Sequence, residues 1–320
     1  MRDHGGNIDW AIGQYGGAPE SWVDLSTGIN RVPYPVPSLS DAAWRILPTR
    51  AAREALVETA RAAYRTNAAI LPVAGAQAAI QMLPRLSPPG KARILSPTYN
   101  EHAATLRVAG WHVEEVSTFG DLIGADLAVV VNPNNPDGRT FAPDELLGLS
   151  ASVGQLVVDE SFADPRPDLS VAYHAGRNGL IVLKSFGKFY GLAGVRLGFV
   201  LADEKTVAAL SEMSGPWPVS GAALEIGRVA MRDRDWAVVT TARLQQEALR
   251  IDAIAAKAGW HLVGGCELFR LYDTGDAAAA QDRLAQNHIW SRRFPWSDRW
   301  LRLGLPGDQS EWIRLEQALN

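Results

Sequence analysis

Lys188 lies in the run Lys184-Ser185-Phe186-Gly187-Lys188-Phe189-Tyr190-Gly191-Leu192-Ala193-Gly194-Val195-Arg196-Leu197-Gly198-Phe199, with a serine shortly before it and an arginine eight residues after it. An ε-amine held in a pocket forms a Schiff base with an aldehyde, while hydroxyl, backbone N–H and guanidinium groups are the partners a phosphate needs. Ser185 and Arg196 supply two of these, and the glycines at 187, 191, 194 and 198 allow tight turns and close backbone approach. The chemistry is that of a covalent anchor with a phosphate site around it.

Pyridoxal phosphate is the aldehyde cofactor that makes both demands. Asp159 follows the apolar run Leu156 to Val158, so it emerges at the C-terminal end of a buried strand, where open α/β sheets carry ligand groups. A carboxylate there pairs with a protonated pyridine nitrogen. At about 4 Å and an effective dielectric near 20 the pair is worth on the order of 4 kcal/mol before desolvation. Asn135, in the turn after the strand Leu127 to Val131, is the candidate donor to the cofactor's 3-oxygen. In Ala74-Gly75-Ala76-Gln77 a glycine turn opens a helix and offers N–H groups at a positive dipole end, suited to a phosphate.

Three motifs in order carry a resemblance. The lysine run, the upstream turn Asn132-Pro133-Asn134-Asn135-Pro136-Asp137-Gly138 and the strand end Asp159-Glu160-Ser161-Phe162 resemble those of fold-type I pyridoxal-phosphate enzymes, the aminotransferase class I/II superfamily. Asp137 stands where that family has threonine. The resemblance covers most of the chain and implies an α/β fold with a mainly parallel central sheet in a large domain and a smaller α+β C-terminal domain. Phe162 departs from the tyrosine usual at its position and is similar to the threonine-phosphate decarboxylase group of cobalamin biosynthesis. His4-Gly5-Gly6-Asn7-Ile8, Asp24 to Asn30, Lys188-Phe189-Tyr190 and Pro216 to Ser220 also resemble that group.

By the same resemblance, Tyr99 is the aromatic ring stacked on the cofactor face, and Arg302, in Leu301-Arg302-Leu303, is the clamp for the substrate carboxylate. An arginine on an apolar strand is costly unless paired, so a substrate anion is a reasonable partner. His4, Asn7, Asn30, Arg292 and Arg293 are candidates for the substrate's phosphate, with Arg292 preferred to Arg293. The tyrosine by which fold-type I dimers reach the neighbour's cofactor phosphate is missing from Arg45-Ile46-Leu47-Pro48-Thr49-Arg50. Thr49 or Arg50 takes its place, or the contact is lost.

The resemblance implies decarboxylation of O-phospho-L-threonine to (R)-1-amino-2-propanol phosphate by a homodimer. The bond to Cα that stands perpendicular to the cofactor ring is the one that breaks, so orientation decides between losing carbon dioxide and losing a proton. The alternative is therefore an aminotransferase on a phosphorylated amino substrate such as histidinol phosphate, against which Phe162 and the His4 to Ile8 motif count. A pyridoxal-phosphate-sensing regulator would add a basic helix-turn-helix region, and this chain starts only about 40 residues before the first helix its pattern predicts.

Composition agrees with an enzyme of this type. The chain has 320 residues, 47% of them apolar, and a formal charge of −4 with both signs interspersed, so it carries no nucleic-acid footprint. Its one cysteine, Cys266, makes neither an intrachain disulfide nor a thiolate metal cluster and reads as a small packing residue. No signal peptide or membrane-length apolar run is present, and a cytoplasmic location without a metal is expected. Helix is predicted over Ala51 to Arg65 and continuously over Ala222 to Ala258. Ile70 to Val73 reads as a short approach to the Ala74-Gly75 turn, and strands are predicted over Ala92 to Ser96, Leu127 to Val131, Leu156 to Val158, Ile181 to Leu183, Leu197 to Leu201, Glu267 to Tyr272 and Trp300 to Leu305. The expected division is 1–40 as a substrate-contacting arm, 41–215 as the cofactor-binding domain and 216–320 as the small domain.

Overall fold

Short valine- and leucine-rich runs bounded by turn residues form strands buried on both faces. In the computed structural model, which describes residues 4–320, most of one seven-stranded sheet is built this way. Its strands are β1 (Ala69–Val73), β2 (Lys91–Leu95), β3 (His112–Val116), β4 (Leu127–Val131), β5 (Gln155–Asp159), β6 (Leu180–Ser185) and β7 (Gly198–Ala202), in the order β1-β7-β6-β5-β4-β2-β3. Pairing is parallel from β3 to β6, and β7 runs antiparallel to both β6 and β1. Strands β1 to β6 therefore point one way, and their C-terminal ends share an edge with the start of β7. Every residue of β4 is buried, so it shows a continuous apolar run; β3, half exposed and reading His-Val-Glu-Glu-Val, shows none and went unpredicted.

Contacts divide the described residues into two compact units. One unit, Tyr34–Asn135 with Thr140–Trp236, holds the seven-stranded sheet. Its core includes Val73, Ile94, Leu127, Val157, Leu183 and Val200. Helix Arg50–Tyr64 starts on the Thr49 hydroxyl, which accepts from the Ala52 N–H at 3.1 Å, and buries Leu56, Thr59 and Ala60. Helix Gly221–Ala230 belongs to this unit as well, although it lies within the expected small domain of 216–320.

The second unit comprises the described residues up to Pro33, with Pro136–Arg139 and Ala237–Asn320. It contains an antiparallel sheet of β8 (His261–Cys266), β9 (Phe269–Asp273), β10 (Arg292–Phe294) and β11 (Ser297–Gly304), ordered β10-β11-β9-β8. Val23–Asp24 pairs in parallel with Ile289–Trp290, and Ala11, Trp22, Ala285 and Trp290 cluster beside that bridge. Cys266 is buried, which pushes its thiol up to about 12 and leaves it a packing residue.

Two helical expectations change. The first helix is Ile8–Tyr15, well before residue 40; eight residues without a side-chain N-cap leave little local signal. The predicted run over Ala222 to Ala258 is two helices, Gly221–Ala230 and Arg234–Lys257. The break falls at Asp233, whose carboxylate accepts from the Trp236 N–H at 3.0 Å and so starts the second helix.

Candidate active site

The shared strand edge of the larger unit collects the predicted cofactor residues. Asp159 ends β5 and Ser185 ends β6, and the short helix Phe186–Phe189 that follows carries Lys188. Gly75 and Ala76 follow β1, Tyr99 follows β2, Asn135 follows β4, and Arg196 precedes β7. All of these and Gln77 line one pocket. Residues scattered over about 120 positions of sequence meet there because parallel strands place their C-terminal ends together.

Two glycines make the edge close enough. Gly75 has φ +74°, and a Cβ added to it would lie 2.6 Å from an Arg196 guanidinium nitrogen. A Cβ on Gly198 would lie 2.6 Å from the Ala76 nitrogen. Arg196 itself takes the left-handed conformation, φ 54°, which is uncommon for a residue with a Cβ and marks a functional constraint. Its guanidinium donates to the Ala193 carbonyl at 3.1 Å and stands beside Gly75, with Ser185 lining the same pocket. A hydroxyl, a fixed cation and glycine backbone suit a phosphate.

Asp159 is buried and ionised. Burial pushes its carboxyl upward, but bonds from His102 and Ser161 outweigh that and hold it below the usual aspartate range. One carboxylate oxygen accepts from both the N–H and hydroxyl of Ser161, and the other accepts from His102 Nε2 at 2.9 Å. A carboxylate has about four acceptor positions; three are filled by these bonds, which leaves one for a ring N–H. Tyr99 is held in turn: its hydroxyl donates to Gln77 Oε1 at 3.1 Å, and Gln77 Nε2 donates to Glu101 at 2.9 Å. The side chain of Gln77 thus steadies the aromatic ring. Lys188 Nζ lies 5.7 Å from the centre of the Phe162 ring. The donor set fits a phosphorylated pyridine aldehyde.

Sequence reasoning missed His102 and Ser161. Each had a signal: a histidine on the buried face of helix Asn100–Val108, beside Ala103 and Leu106, and a serine two residues after the key aspartate, where Asp side chains bond forward.

The substrate candidates lie in the second unit. His4, Asn7, Arg292 and Arg293 line a cavity with Ser26 and Trp290. Arg302 is buried on β11, donates to the Ser26 carbonyl at 2.7 Å and lies over the Phe269 ring. Burial, and then the Arg292 charge opposite it across the β10–β11 ladder, lowers its pKa to about 10. Facing cations on neighbouring strands destabilise unless an anion joins them. Asn30 is also buried, and its side-chain oxygen accepts from the Val32 N–H and from Arg243, so it is not among the lining of that cavity. In the larger unit, Thr49 is taken up as a helix cap and Arg50 pairs with Glu54 at 2.6 Å. Among the described residues no group of three or more His, Cys, Asp or Glu is arranged to hold a metal ion.

Comparison with known proteins agrees with this geometry. The family model for aminotransferase class I and II matches residues 8–318. A threonine-phosphate decarboxylase of Sinorhizobium sp is 46% identical over 325 residues, covering 99% of this chain and 97% of that protein. One of Pseudomonas aeruginosa is 41% identical over 326 residues, covering 100% and 97%. The solved histidinol-phosphate aminotransferase of Sinorhizobium meliloti, in complex with pyridoxal-5'-phosphate, has a TM-score of 0.79 at 19% identity, covering 100% of this chain and 94% of that one, a likeness of fold. A sheet edge that gathers lysine, aspartate, asparagine and arginine, within a match that spans nearly the whole sequence, leads to one conclusion: the chain belongs to the aminotransferase class I and II family.

Proposed function

We propose that the protein is a pyridoxal-phosphate-dependent threonine-phosphate decarboxylase, converting O-phospho-L-threonine to (R)-1-amino-2-propanol phosphate for cobalamin biosynthesis. The observation that carries this reading is full-length similarity to two threonine-phosphate decarboxylases. When bound, pyridoxal phosphate supplies an aldehyde carbon for an amine and a pyridinium ring that takes up the electron pair released as carbon dioxide departs.

The residues divide the remaining work. Lys188 holds the cofactor covalently before substrate arrives, and its Nζ afterwards carries the proton that replaces the lost carboxylate. Asp159, kept ionised by Ser161 and His102, holds the proton on the ring nitrogen. Gly75, Ala76, Gln77, Ser185 and Arg196 hold the phosphate, Tyr99 covers the ring, and Asn135 donates to the 3-oxygen. Phe162 brings no hydroxyl there. Arg302 takes the substrate carboxylate, and Arg292 and His4, which line one cavity, are assigned the substrate phosphate; Asn30, outside that cavity, is not. Support for an anion comes from the facing pair of Arg292 and Arg302.

A homodimer is proposed on the exposed apolar side chains Trp44, Ile46, Leu47 and Trp217 of the larger unit, a hydrophobic display of the kind that marks interfaces. A cytoplasmic location is proposed on the single unpaired cysteine; no helix among the described residues is long and apolar enough to cross a membrane. The functional division into 1–40, 41–215 and 216–320 is likewise a proposal.

The deciding experiment mixes cofactor-loaded protein with O-phospho-L-threonine and no keto acid. Sustained carbon dioxide release over many turnovers is expected. One turnover that bleaches the cofactor absorbance without carbon dioxide would overturn the reading in favour of an aminotransferase.

A further inference from the structure

Directly behind the pocket, on the other face of the same two strands, lies a buried ionic cluster that the reaction does not use. Side chains alternate along a strand, so Asp159 and Ser185 face the pocket while their neighbours Glu160 and Lys184 face away. Lys184 Nζ stands 2.6 Å from Glu160 Oε2 and 3.7 Å from Asp164 Oδ1, with both members of the first pair essentially inaccessible to water. The ammonium also lies over the Tyr64 ring of helix Arg50–Tyr64, 4.9 Å from its centre. Glu160 further accepts from the Ser170 hydroxyl and from the Val171 N–H, so it joins the end of β5 to the loop ahead of β6.

Such a cluster is an expensive way to fill a core. Well-packed apolar side chains often serve stability equally or better, and the best-attested use of a buried ion pair is to specify register. Register matters more here than elsewhere in the sheet. A slip of one residue in β5 would turn Asp159 out of the pocket, and a slip in β6 would turn Ser185 out and could bring the Lys184 cation in its place. The flanking positions, Val157-Val158 and Val182-Leu183, are apolar on both faces and do not discriminate one register from the next.

We propose that Lys184 and Glu160 are a positioning pair: their ion pair keys the ends of β5 and β6 against each other and so sets the places of Asp159, Ser185 and, one helical turn on, Lys188. The pair touches neither cofactor nor substrate. It acts through the strand ends, and the proposal rests on the reading of the adjoining pocket as a pyridoxal-phosphate site.

The test compares wild type with K184M/E160M and with E160Q. Thermal stability is measured without added cofactor, cofactor affinity by titration with pyridoxal phosphate, and kcat and KM with O-phospho-L-threonine. The double variant is expected to melt below wild type, because the Ser170 hydroxyl, the Val171 N–H and Asp164 lose their partners, and to bind cofactor at least about tenfold more weakly, with kcat reduced by up to about 10²-fold, the scale that small misplacements of catalytic groups produce. KM changes little. A double variant that folds and keeps wild-type cofactor affinity and kcat, whatever its melting temperature, would overturn the proposal and leave the pair a packing element. Should the double variant not fold, E160Q decides, since it keeps the shape and removes only the charge: reduced affinity and kcat support the pair, and wild-type values refute it. A wild type that takes up no pyridoxal phosphate sinks the underlying reading instead, and the two failures are distinguishable.

Discussion

Lys184 and Lys188 leave the same strand-to-helix junction four residues apart, yet their surroundings have little in common. Around Lys184, burial pushes the ammonium's pKa down, but Glu160 and Asp164 outweigh it and hold the group charged above its ordinary range. A cation so fixed has no lone pair to offer an aldehyde. Lys188 lines the pocket with Ser185, Arg196 and Asp159, beside the ring of Phe162. The face of the sheet, not the residue type, separates a locked charge from a lysine that opens on the pocket.

That contrast is open to direct attack. The largest effect is expected from K188A, which removes the covalent anchor: borohydride should no longer fix the cofactor, and turnover should fall by at least about 10³-fold. Peptide mapping of reduced wild-type protein should place the label on Lys188 and leave Lys184 unmodified. Label on Lys184 would break the comparison outright. The next effect is on the neighbouring carboxylates of β5. D159N removes the charge that keeps a ring nitrogen protonated, and an ion pair of this kind is worth on the order of 4 kcal/mol before desolvation, so kcat should fall by about 10²-fold or more with KM little altered. Equal loss in kcat and in substrate affinity would mean that Asp159 serves the fold more than the ring.

H102N should act more mildly, by about tenfold. With its donor gone, Asp159 keeps only the Ser161 bonds, and its carboxyl moves back up toward the ordinary aspartate range. The acid limb of the pH–activity profile should shift to higher pH. An unmoved limb would show that another group titrates there.

These residues also show what the sequence made legible. Lys188, Asp159, Asn135 and Arg196 stand in motifs whose spacing carries a chemical reason, and the apolar runs before them mark strands of a parallel sheet, so both the site and its scaffold could be read. Lys184 and Glu160 were invisible in the same stretches. Each sits beside a motif residue, and only the strand's alternation, combined with the pairing of β5 and β6, brings them together on the hidden face. The same limit applies to β8, whose Gly264-Gly265 lacks any strand signature, and to helix Ile8–Tyr15, too short to be marked by periodicity. Fold and motif are local in sequence; contacts across strands are not.

Asp164 offers the smallest and most selective test of the hidden face. Burial raises its carboxyl to about 6, against an ordinary 3.8, although Lys184 pulls the other way, and its Oδ2 is buried without a hydrogen-bond partner. A folded-state pKa above the unfolded value means that the native protein binds the proton more tightly. Stability from this group is therefore fully present below about pH 4 and is lost as pH rises through about 6, because the ionised form is disfavoured inside. In D164N the side chain is neutral at every pH: its oxygen can still accept from Lys184, and its amide replaces the oxygen that has no partner. The variant should melt at the wild-type temperature near pH 4 and several degrees higher at pH 8, with the gap opening between roughly 4 and 6. Turnover should stay within about twofold, since Asp164 belongs to the cluster behind the pocket and not to its lining. A gap that does not vary with pH would place the effect in packing, and a variant less stable at pH 8 would show that the ionised Asp164 stabilises Lys184 by more than its burial costs.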